Sequence, residues 1–296
     1  MQEKDQLFRF SFGNLDIRGE LVYLDDLWHE VLARHQYPEN VRLQLGSGLA
    51  AAALLSLTIK FKGKLILQVQ GTGPLQSLVV QAGSDGSLRG LASWEGLVPE
   101  GPLQEVFGDS RMLITVIPDE GERYQSIVEI SGNSLAEAIN RYFDQSEQLP
   151  TSLQFHVSEN RTAGLLLQAL PLSTSSETTA DQRQEDWKRL NMLAETTTPQ
   201  EILELPATAL LHRLFHEEEV KLHGTKPLHF SCSCSKEKVE NTLVTLGEAE
   251  LRSILEETGL IKVDCEFCNT HYSFDAAAVD RLCHEMRQPP PDTILH

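Results

Sequence analysis

The spacing of apolar residues predicts helices at two places early in the chain. Residues 21–32 and 41–59 carry apolar side chains at every third or fourth position, which is the period of a helix with a buried face. A third helix is predicted from Ser134 to about residue 147, because Ser134 and Glu137 have the spacing of a capping box.

Shorter segments around these helices are rich in β-branched residues and are separated by glycine-containing turns, which is typical of strands. They cover residues 64–70, 75–81, 111–117, 124–130, 152–157 and 163–170. Strands outnumber helices, and short turns join neighbouring strands. Residues 1–174 are therefore predicted to form an α+β domain, with a mostly antiparallel sheet on which helices pack.

A polar break at residues 173–180 predicts a domain boundary, and a helical linker is predicted over residues 175–231. The segment Thr198-Pro-Gln-Glu201 has the capping residues of a helix start. The apolar residues of the linker form two short stripes. The first is Trp187, Leu190 and Leu193, and the second is Leu210, Leu211, Leu214 and Phe215. Such short stripes must bury their apolar faces against another surface. The sequence leaves open whether that docking is permanent or conditional.

The last predicted domain, residues 232–296, is small and holds all five cysteines. Helices are predicted at 236–246 and 248–257, strands at 260–264 and 272–274, and a final helix that Asp275 caps and that ends before Pro289. So short a segment buries few large apolar residues, and a metal ion is a physically reasonable source of stability.

Four of the cysteines form two close pairs, an arrangement typical of a zinc site. The pair Cys265-x-x-Cys268 lets one tight turn direct two sulfur atoms at a metal, and Cys232-x-Cys234 can also chelate. The intervening residues form a small predicted lobe that lets the pairs meet. The sequence therefore predicts that Cys232, Cys234, Cys265 and Cys268 bind one zinc ion.

Other residues near this segment fit a metal site less well. His229, His271 and His284 match no common zinc spacing and are predicted to be solvated at the surface. Cys283 lies near apolar residues of the predicted final helix, which favours a buried apolar role.

Loss of the metal is expected to unfold the C-terminal segment. Structural zinc contributes about 10–16 kcal/mol of apparent binding free energy, against about 5–15 kcal/mol for the stability of a whole domain. Oxidation of the thiolates would remove the ligands. The spacing alone leaves open whether this site is an inert structural zinc or a redox switch.

The chain is acidic along its whole length, with a formal net charge of −18. Nucleic acid and anionic membrane surfaces are therefore not expected partners. The N-terminus is acidic and lacks the apolar segment of a secretion signal, and the longest apolar stretch, 49–59, is too short to span a bilayer. The expected location is the cytoplasm, where clustered cysteines indicate metal or redox chemistry.

Several motifs extend over nearly the whole chain in a fixed order, and the paired-cysteine signature is the most specific of them. The motifs are Arg18-Gly-Glu20, Gln70-Gly-Thr-Gly-Pro74, Gly121-Glu-Arg-Tyr-Gln125, Tyr142-Phe-Asp-Gln-Ser-Glu-Gln-Leu-Pro150, His216-Glu-Glu-Glu-Val220, Phe230-Ser-Cys-Ser-Cys-Ser235 and Cys265-Glu-Phe-Cys-Asn-Thr-His-Tyr272. Together they closely resemble the bacterial 33-kDa heat-shock chaperonin family, whose members are redox-regulated holdases. Cys283 is not part of that signature.

The resemblance implies a role for each segment. Cys232, Cys234, Cys265 and Cys268 would hold zinc as thiolates in a reduced, inactive protein. Oxidants such as hypochlorite would convert them to two disulfides, Cys232–Cys234 and Cys265–Cys268, and zinc would leave. The C-terminal segment would then unfold, and the linker would lose its docking and bind unfolding client proteins without ATP. The oxidised form would be a homodimer, and the protein would be a stress-response chaperone rather than an enzyme.

Two other functions are compatible with the cysteine spacing. A thiol-disulfide oxidoreductase would use Cys265 and Cys268 as a catalytic pair, although such pairs normally begin a helix and the adjacent Asp264 and Glu266 disfavour a thiolate. A constitutive zinc-binding interaction module, such as a zinc ribbon on nucleic acid, is disfavoured by the acidic charge. Residues 1–174 contain no recognised catalytic motif, so no catalytic residue is predicted.

Overall fold

The computed structural model describes residues 3–13, 15–58, 62–171 and 179–286, and the chain divides into two compact units, Met1–Ser231 and Cys232–His296. The first unit contains β1 (Gln6–Phe12), β2 (Ile17–Leu24), α1 (Asp26–Leu32), α2 (Glu39–Thr58), β3 (Gly63–Gly71), β4 (Leu75–Gly83), β5 (Ser87–Trp94), α3 (Leu103–Phe107), β6 (Ser110–Pro118), β7 (Tyr124–Glu129), α4 (Leu135–Tyr142), a π-helical turn (Phe143–Glu147), β8 (Thr151–Val157), β9 (Thr162–Ala169), α5 (Ala180–Glu195), α6 (Pro199–Glu204), α7 (Ala207–Phe215), β10 (Val220–Pro227) and β11 (His229–Phe230). The second contains α8 (Lys236–Leu246), α9 (Glu248–Thr258), β12 (Ile261–Asp264), β13 (His271–Phe274) and α10 (Ala276–Met286).

The strands of the first unit form two sheets. One has five strands in the order β10-β1-β2-β9-β8, and the other has six in the order β11-β5-β4-β3-β6-β7. Among the described residues every strand pairing is antiparallel except that of β11 with β5. The predicted α+β class with a mostly antiparallel sheet is confirmed, and the strands divide between two sheets rather than one.

Helix α2 is the centre of the main core. It contacts β2, β8 and β9 of the five-stranded sheet and β3, β4 and β5 of the six-stranded sheet, so nearly every turn of it is covered by protein. Its side chains from Leu49 to Leu55 are all buried. The small residues of this helix allow the close approach: a Cβ atom at Gly46 would lie 2.8 Å from the hydroxyl of Thr162. The predicted helix over 41–59 is confirmed up to Thr58, and Ile59 lies outside the described residues.

The opposite face of the five-stranded sheet is covered by α5, α6 and α7, which we call the helical layer. Its buried residues pack in one cluster with the aromatic and aliphatic side chains of β1, β2 and β9. The rings of Phe12 and Phe215 lie edge to face with their centres 4.9 Å apart. The capping box of Thr198 and Glu201 at the start of α6 is present as predicted. In this structure the apolar stripes of the predicted linker are therefore docked.

Polar contacts also attach the helical layer to the sheet. Arg161 pairs with Asp25 at 2.8 Å, with both side chains nearly buried, and its guanidinium lies over the ring of Tyr23. The same guanidinium donates to the carbonyl oxygen of Leu203 at 2.9 Å, and the Tyr23 hydroxyl donates to that of Leu205 at 3.0 Å. These bonds satisfy main-chain carbonyls at the end of α6, where no further helical N–H is available.

The helix predicted over residues 21–32 is wrong in its first third. Leu21 to Leu24 belong to strand β2, and the helix α1 begins at Asp26. Both faces of β2 are covered, because Leu21 and Tyr23 pack under the helical layer while Val22 and Leu24 face the core around α2. A strand covered on both faces shows an uninterrupted apolar run, which periodicity does not separate from a helix.

Three further features differ from the predicted pattern. At the start of α4 the Ser134 hydroxyl accepts from the N–H of Glu137, but the Glu137 carboxylate accepts from Asn133 instead of closing the box on Ser134. The α-helix changes to a π-helical turn at Phe143. The end of the predicted helical linker adds two strands, β10 and β11, for which the sequence showed no signal.

Strand β2 also buries a carboxyl group. Glu20 has no exposed surface, and neither of its oxygen atoms has a hydrogen-bond partner among the described residues. Burial raises the pKa of Glu20 to about 7, although the nearby cations Arg18 and Arg9 partly oppose this shift. The first unit therefore contains an acid that holds its proton close to neutral pH.

The predicted boundary near residue 174 and the predicted end of the last helix before Pro289 lie outside the described residues. Over the part of the chain that the structure covers, no helix has the length and apolar character needed to cross a bilayer.

Candidate metal centre

Cys265 and Cys268 lie in the turn of the hairpin that β12 and β13 form. The N–H of Cys265 donates to the carbonyl of Thr270 at 3.0 Å, and the N–H of Asn269 donates to the carbonyl of Cys265 at 2.7 Å. Asn269 takes the left-handed conformation that such a turn requires, with φ of +55°. The predicted strands on both sides of this cysteine pair are confirmed, and the main-chain bonds fix the path of the turn.

Cys232 and Cys234 lie in the segment without regular secondary structure that precedes α8. The helix begins just after them because the Ser235 hydroxyl accepts a hydrogen bond from the N–H of Lys238 at 3.2 Å. The predicted helices α8 and α9 are both present, and α9 ends at Gly259 in a left-handed cap. These helices, the hairpin and α10 form the second unit, Cys232–His296, which we call the lobe.

The lobe brings all four sulfur atoms together. The four Sγ atoms lie within 4.8 Å of one another, with 3.7 Å between Cys232 and Cys265 and 3.4 Å between Cys234 and Cys268. Four thiolates around a tetrahedral zinc, each at about 2.3 Å from the metal, would be about 3.8 Å apart. The four side chains are partly buried, and they are close enough to bind one metal ion.

The thiols differ in how readily they ionise. Burial raises the pKa of Cys265 to about 12, although the N–H groups of Cys268 and Phe267 oppose this, and burial also raises the pKa of Cys234. At Cys268 burial acts in the same direction, but hydrogen bonds from Thr270 and from neighbouring thiols outweigh it and lower the pKa to about 6. Among the three thiols with a shifted pKa, Cys268 is therefore the most acidic, and a bound cation would favour the thiolate form of its ligands.

The predicted non-ligands are outside this cluster. His229, His271 and His284 are exposed, and none belongs to the metal-binding group found among the described residues. The Nδ1 atom of His271 lies 2.6 Å from a carboxylate oxygen of Asp264. Cys283 is buried in the apolar core of the lobe, as predicted.

Two polar side chains that the sequence did not single out contact the sulfur atoms. The Tyr272 hydroxyl donates to Sγ of Cys234 at 3.2 Å, and the Thr270 hydroxyl lies 3.1 Å from Sγ of Cys268. Both follow the second cysteine pair within four residues, but nothing in the sequence distinguishes their hydroxyl groups from those of other polar residues in the lobe.

The apolar core of the lobe is small. Among the described residues of the second unit, eight buried side chains form it, which are Leu243, Leu251, Ile261, Phe274, Ala278, Val279, Leu282 and Cys283. A unit of this size buries too little apolar surface to be stable without a further constraint.

The sequence matches the Hsp33 protein family over residues 5–275. This chain belongs to the Hsp33 family. The resemblance stated from motifs along nearly the whole chain is thus confirmed. Membership of the Hsp33 family indicates a chaperone role in the stress response.

Relatives called 33 kDa chaperonin match over almost their full length. The protein of Nitrosococcus oceani is 49% identical over 296 residues and covers 100% of both chains. That of Pseudomonas aeruginosa is 45% identical over 285 residues, which is 95% of each chain. The protein of Shewanella loihica is 42% identical over 280 residues, which is 94% of this chain and 96% of the relative.

The fold is also that of a solved Hsp33 structure. The crystal structure of the 33 kDa chaperonin from Thermotoga maritima superposes with a TM-score of 0.79 at 22% sequence identity, over 95% of this chain and 98% of the other.

Proposed function

We propose that this chain is a redox-regulated, ATP-independent holdase of the cytoplasm, which binds unfolding proteins after its zinc-bound cysteines are oxidised. The observation that supports this most directly is the meeting of four cysteine sulfurs in a lobe whose described core has eight buried side chains. Removal of the ligands from such a lobe removes much of what keeps it folded.

In the reduced protein, Cys232, Cys234, Cys265 and Cys268 would hold zinc as four thiolates. The donor set fits zinc because thiolate sulfur is a preferred ligand and the sulfur spacing approaches that of a tetrahedron. Bound zinc supplies the positive charge that stabilises four neighbouring thiolates. The chain's own contribution is the hairpin turn and the start of α8, which place the two pairs against each other.

Oxidation would convert the ligands to the disulfides Cys232–Cys234 and Cys265–Cys268. In the folded lobe, sulfur distances of 3.7 Å and 3.4 Å join Cys232 to Cys265 and Cys234 to Cys268, which belong to different pairs. Once the lobe loosens, the two pairs can separate, but Cys232 stays near Cys234 and Cys265 near Cys268 because one and two residues lie between them. The proposed disulfides then hold each pair away from the metal without restoring the lobe.

Release of the helical layer would provide the client-binding surface. Its apolar residues and the sheet face beneath them are docked in the structure, and undocking would expose both to unfolding proteins. We assign residues 1–174 to the chaperone core, 175–231 to the redox-sensitive linker and 232–296 to the switch. We also propose that the oxidised form is a homodimer.

The competing functions have less support. The pair Cys265–Cys268 lies between two strands and not at a helix N-terminus, where the catalytic pair of an oxidoreductase normally lies. The net charge of −18 disfavours nucleic acid and anionic membranes as partners. We assign no catalytic residue.

The test compares reduced, zinc-loaded protein with hypochlorite-treated protein. Suppression of the aggregation of a heat-unfolded client would be followed by light scattering, and zinc release by a chromophoric chelator. We expect suppression only after zinc is released. Equal suppression by both forms would refute the switch.

Cysteine variants test the ligand set. Cys265→Ser should lower zinc affinity and reduce the helical circular dichroism of the C-terminal lobe without oxidant. Cys283→Ala is the matched control, because Cys283 is buried outside the sulfur cluster, and it should keep wild-type zinc affinity. Full zinc affinity in Cys265→Ser would remove Cys265 from the ligand set.

A further inference from the structure

Two side-chain hydroxyl groups lie against the sulfur cluster. Tyr272 donates to Sγ of Cys234 at 3.2 Å, and the hydroxyl of Thr270 lies 3.1 Å from Sγ of Cys268. A thiolate has no hydrogen to donate, so in the ionised cluster both hydroxyl groups must be the donors. Each proposed disulfide pair thus contains one sulfur that receives a hydroxyl hydrogen bond.

The hairpin places both hydroxyl groups. Thr270 closes the turn, since its carbonyl accepts from the N–H of Cys265. Tyr272 pairs with Val263 across the hairpin, and its partly buried ring packs on the core of the lobe. Its hydroxyl reaches the cysteine pair that lies 38 residues earlier in the chain. Tyr272 therefore joins the hairpin to the other half of the cluster.

We propose that Tyr272 is a positioning residue that holds Cys234 in the ligand set and slows its oxidation, and that Thr270 does the same at Cys268. The inference rests on the proposed function, in which the four cysteines bind zinc. Partners outside the ligand shell of a metal orient the ligands, and loss of one typically lowers metal affinity about 10–100-fold.

The same hydrogen bond opposes oxidation. Hypochlorous acid transfers chlorine to a thiolate sulfur and releases hydroxide. The second thiolate of the pair then attacks that sulfur, the S–Cl bond breaks, and chloride leaves. Two electrons pass from the two sulfur atoms to chlorine. A hydroxyl that donates to Cys234 withdraws electron density from the sulfur lone pair that either step requires, so it makes this thiolate a weaker nucleophile.

The experiment uses the full-length protein with Tyr272→Phe, which keeps the ring and removes only the hydroxyl. Zinc affinity would be measured by competition with a chromophoric chelator, and zinc release would be timed at a fixed dose of hypochlorite. We expect affinity to fall about 10–100-fold and release to become several-fold faster. Thr270→Val should change both in the same direction. The matched control is Tyr124→Phe, since Tyr124 is an exposed tyrosine of the first unit, and it should change neither.

A spectroscopic readout separates positioning from general damage. With cobalt(II) in place of zinc, the sulfur-to-metal charge-transfer band of Tyr272→Phe should move to lower energy, because the thiolate becomes more electron-rich. Wild-type affinity and release rate, or an unmoved band, would overturn the inference. An unmodified protein that binds no zinc would overturn the proposed function itself, so the two failures are distinguishable.

Discussion

The substitution Leu210→Ala is expected to activate the chaperone without oxidation. Leu210 lies on α7 with no exposed surface, inside the cluster that docks the helical layer on the five-stranded sheet. In the docked state the substitution leaves a cavity, whereas in the undocked state the side chain is in water in either variant. The substitution therefore weakens the free energy of docking and leaves the undocked state unchanged.

Truncation of a fully buried leucine to alanine costs about 2–5 kcal/mol, depending on how far the site collapses. Each 1.4 kcal/mol changes an equilibrium about tenfold, so the undocked population should rise about 30-fold even at the low end of that range. Met192→Ala is the matched control, because Met192 lies on α5 and is 66% exposed. It should change docking by less than about 0.5 kcal/mol.

Three measurements on reduced protein test this reasoning together. Limited proteolysis should cut residues 180–215 faster in Leu210→Ala than in the control, the variant should suppress client aggregation, and both variants should retain zinc. Faster proteolysis without any gain in suppression would show that the helical layer and the sheet beneath it are not the client-binding surface. An unchanged rate of proteolysis would refute the predicted loss of docking free energy.

Two predictions concern the stability of the first unit. Because the folded pKa of Glu20 is raised to about 7 from an ordinary 4.5, its contribution to stability is fully present below pH 4.5 and is lost as the pH rises through 7. Urea unfolding should thus find Glu20→Gln more stable than wild type by up to about 3 kcal/mol at pH 8, with the difference vanishing near pH 4.5; a difference independent of pH would contradict this. Arg161→Ala should cost about 3–5 kcal/mol because it leaves Asp25 buried without its partner. Lys4→Ala breaks an exposed pair and should cost less than about 1 kcal/mol, and equal losses in these two variants would refute the burial argument.

Local chemistry made much of the fold predictable from the sequence. The capping residues Thr198 and Glu201 and the helix predicted over residues 248–257 depend on neighbours in sequence, and they appear where expected. The two cysteine pairs meet as their spacing predicts. The caps are fixed within a few residues of the chain, and each cysteine pair lies within one short motif.

Features that depend on distant partners were not predictable. Strand β10 has a polar sequence, and it is a strand because the edge of β1 offers it unpaired main-chain groups. The contact of Tyr272 with Cys234 depends on how the hairpin meets a segment far away in sequence. A hydroxyl on a strand carries no sign of the sulfur that it will reach.

Strand β10 is a weakly attached edge strand of the five-stranded sheet. None of its eight residues is buried, and its pairing with β1 is interrupted by a register shift opposite Phe8 and Phe10. Val220 at its start touches the apolar cluster, and the ring of His223 lies 2.7 Å from the hydroxyl of Ser11 on β1. Its other attachment to β1 is the ladder of main-chain hydrogen bonds. Such a strand detaches at little cost in buried apolar area. If β10 detaches, β1 becomes the edge strand of the sheet. Its unpaired N–H and C=O groups can then form hydrogen bonds with any extended chain.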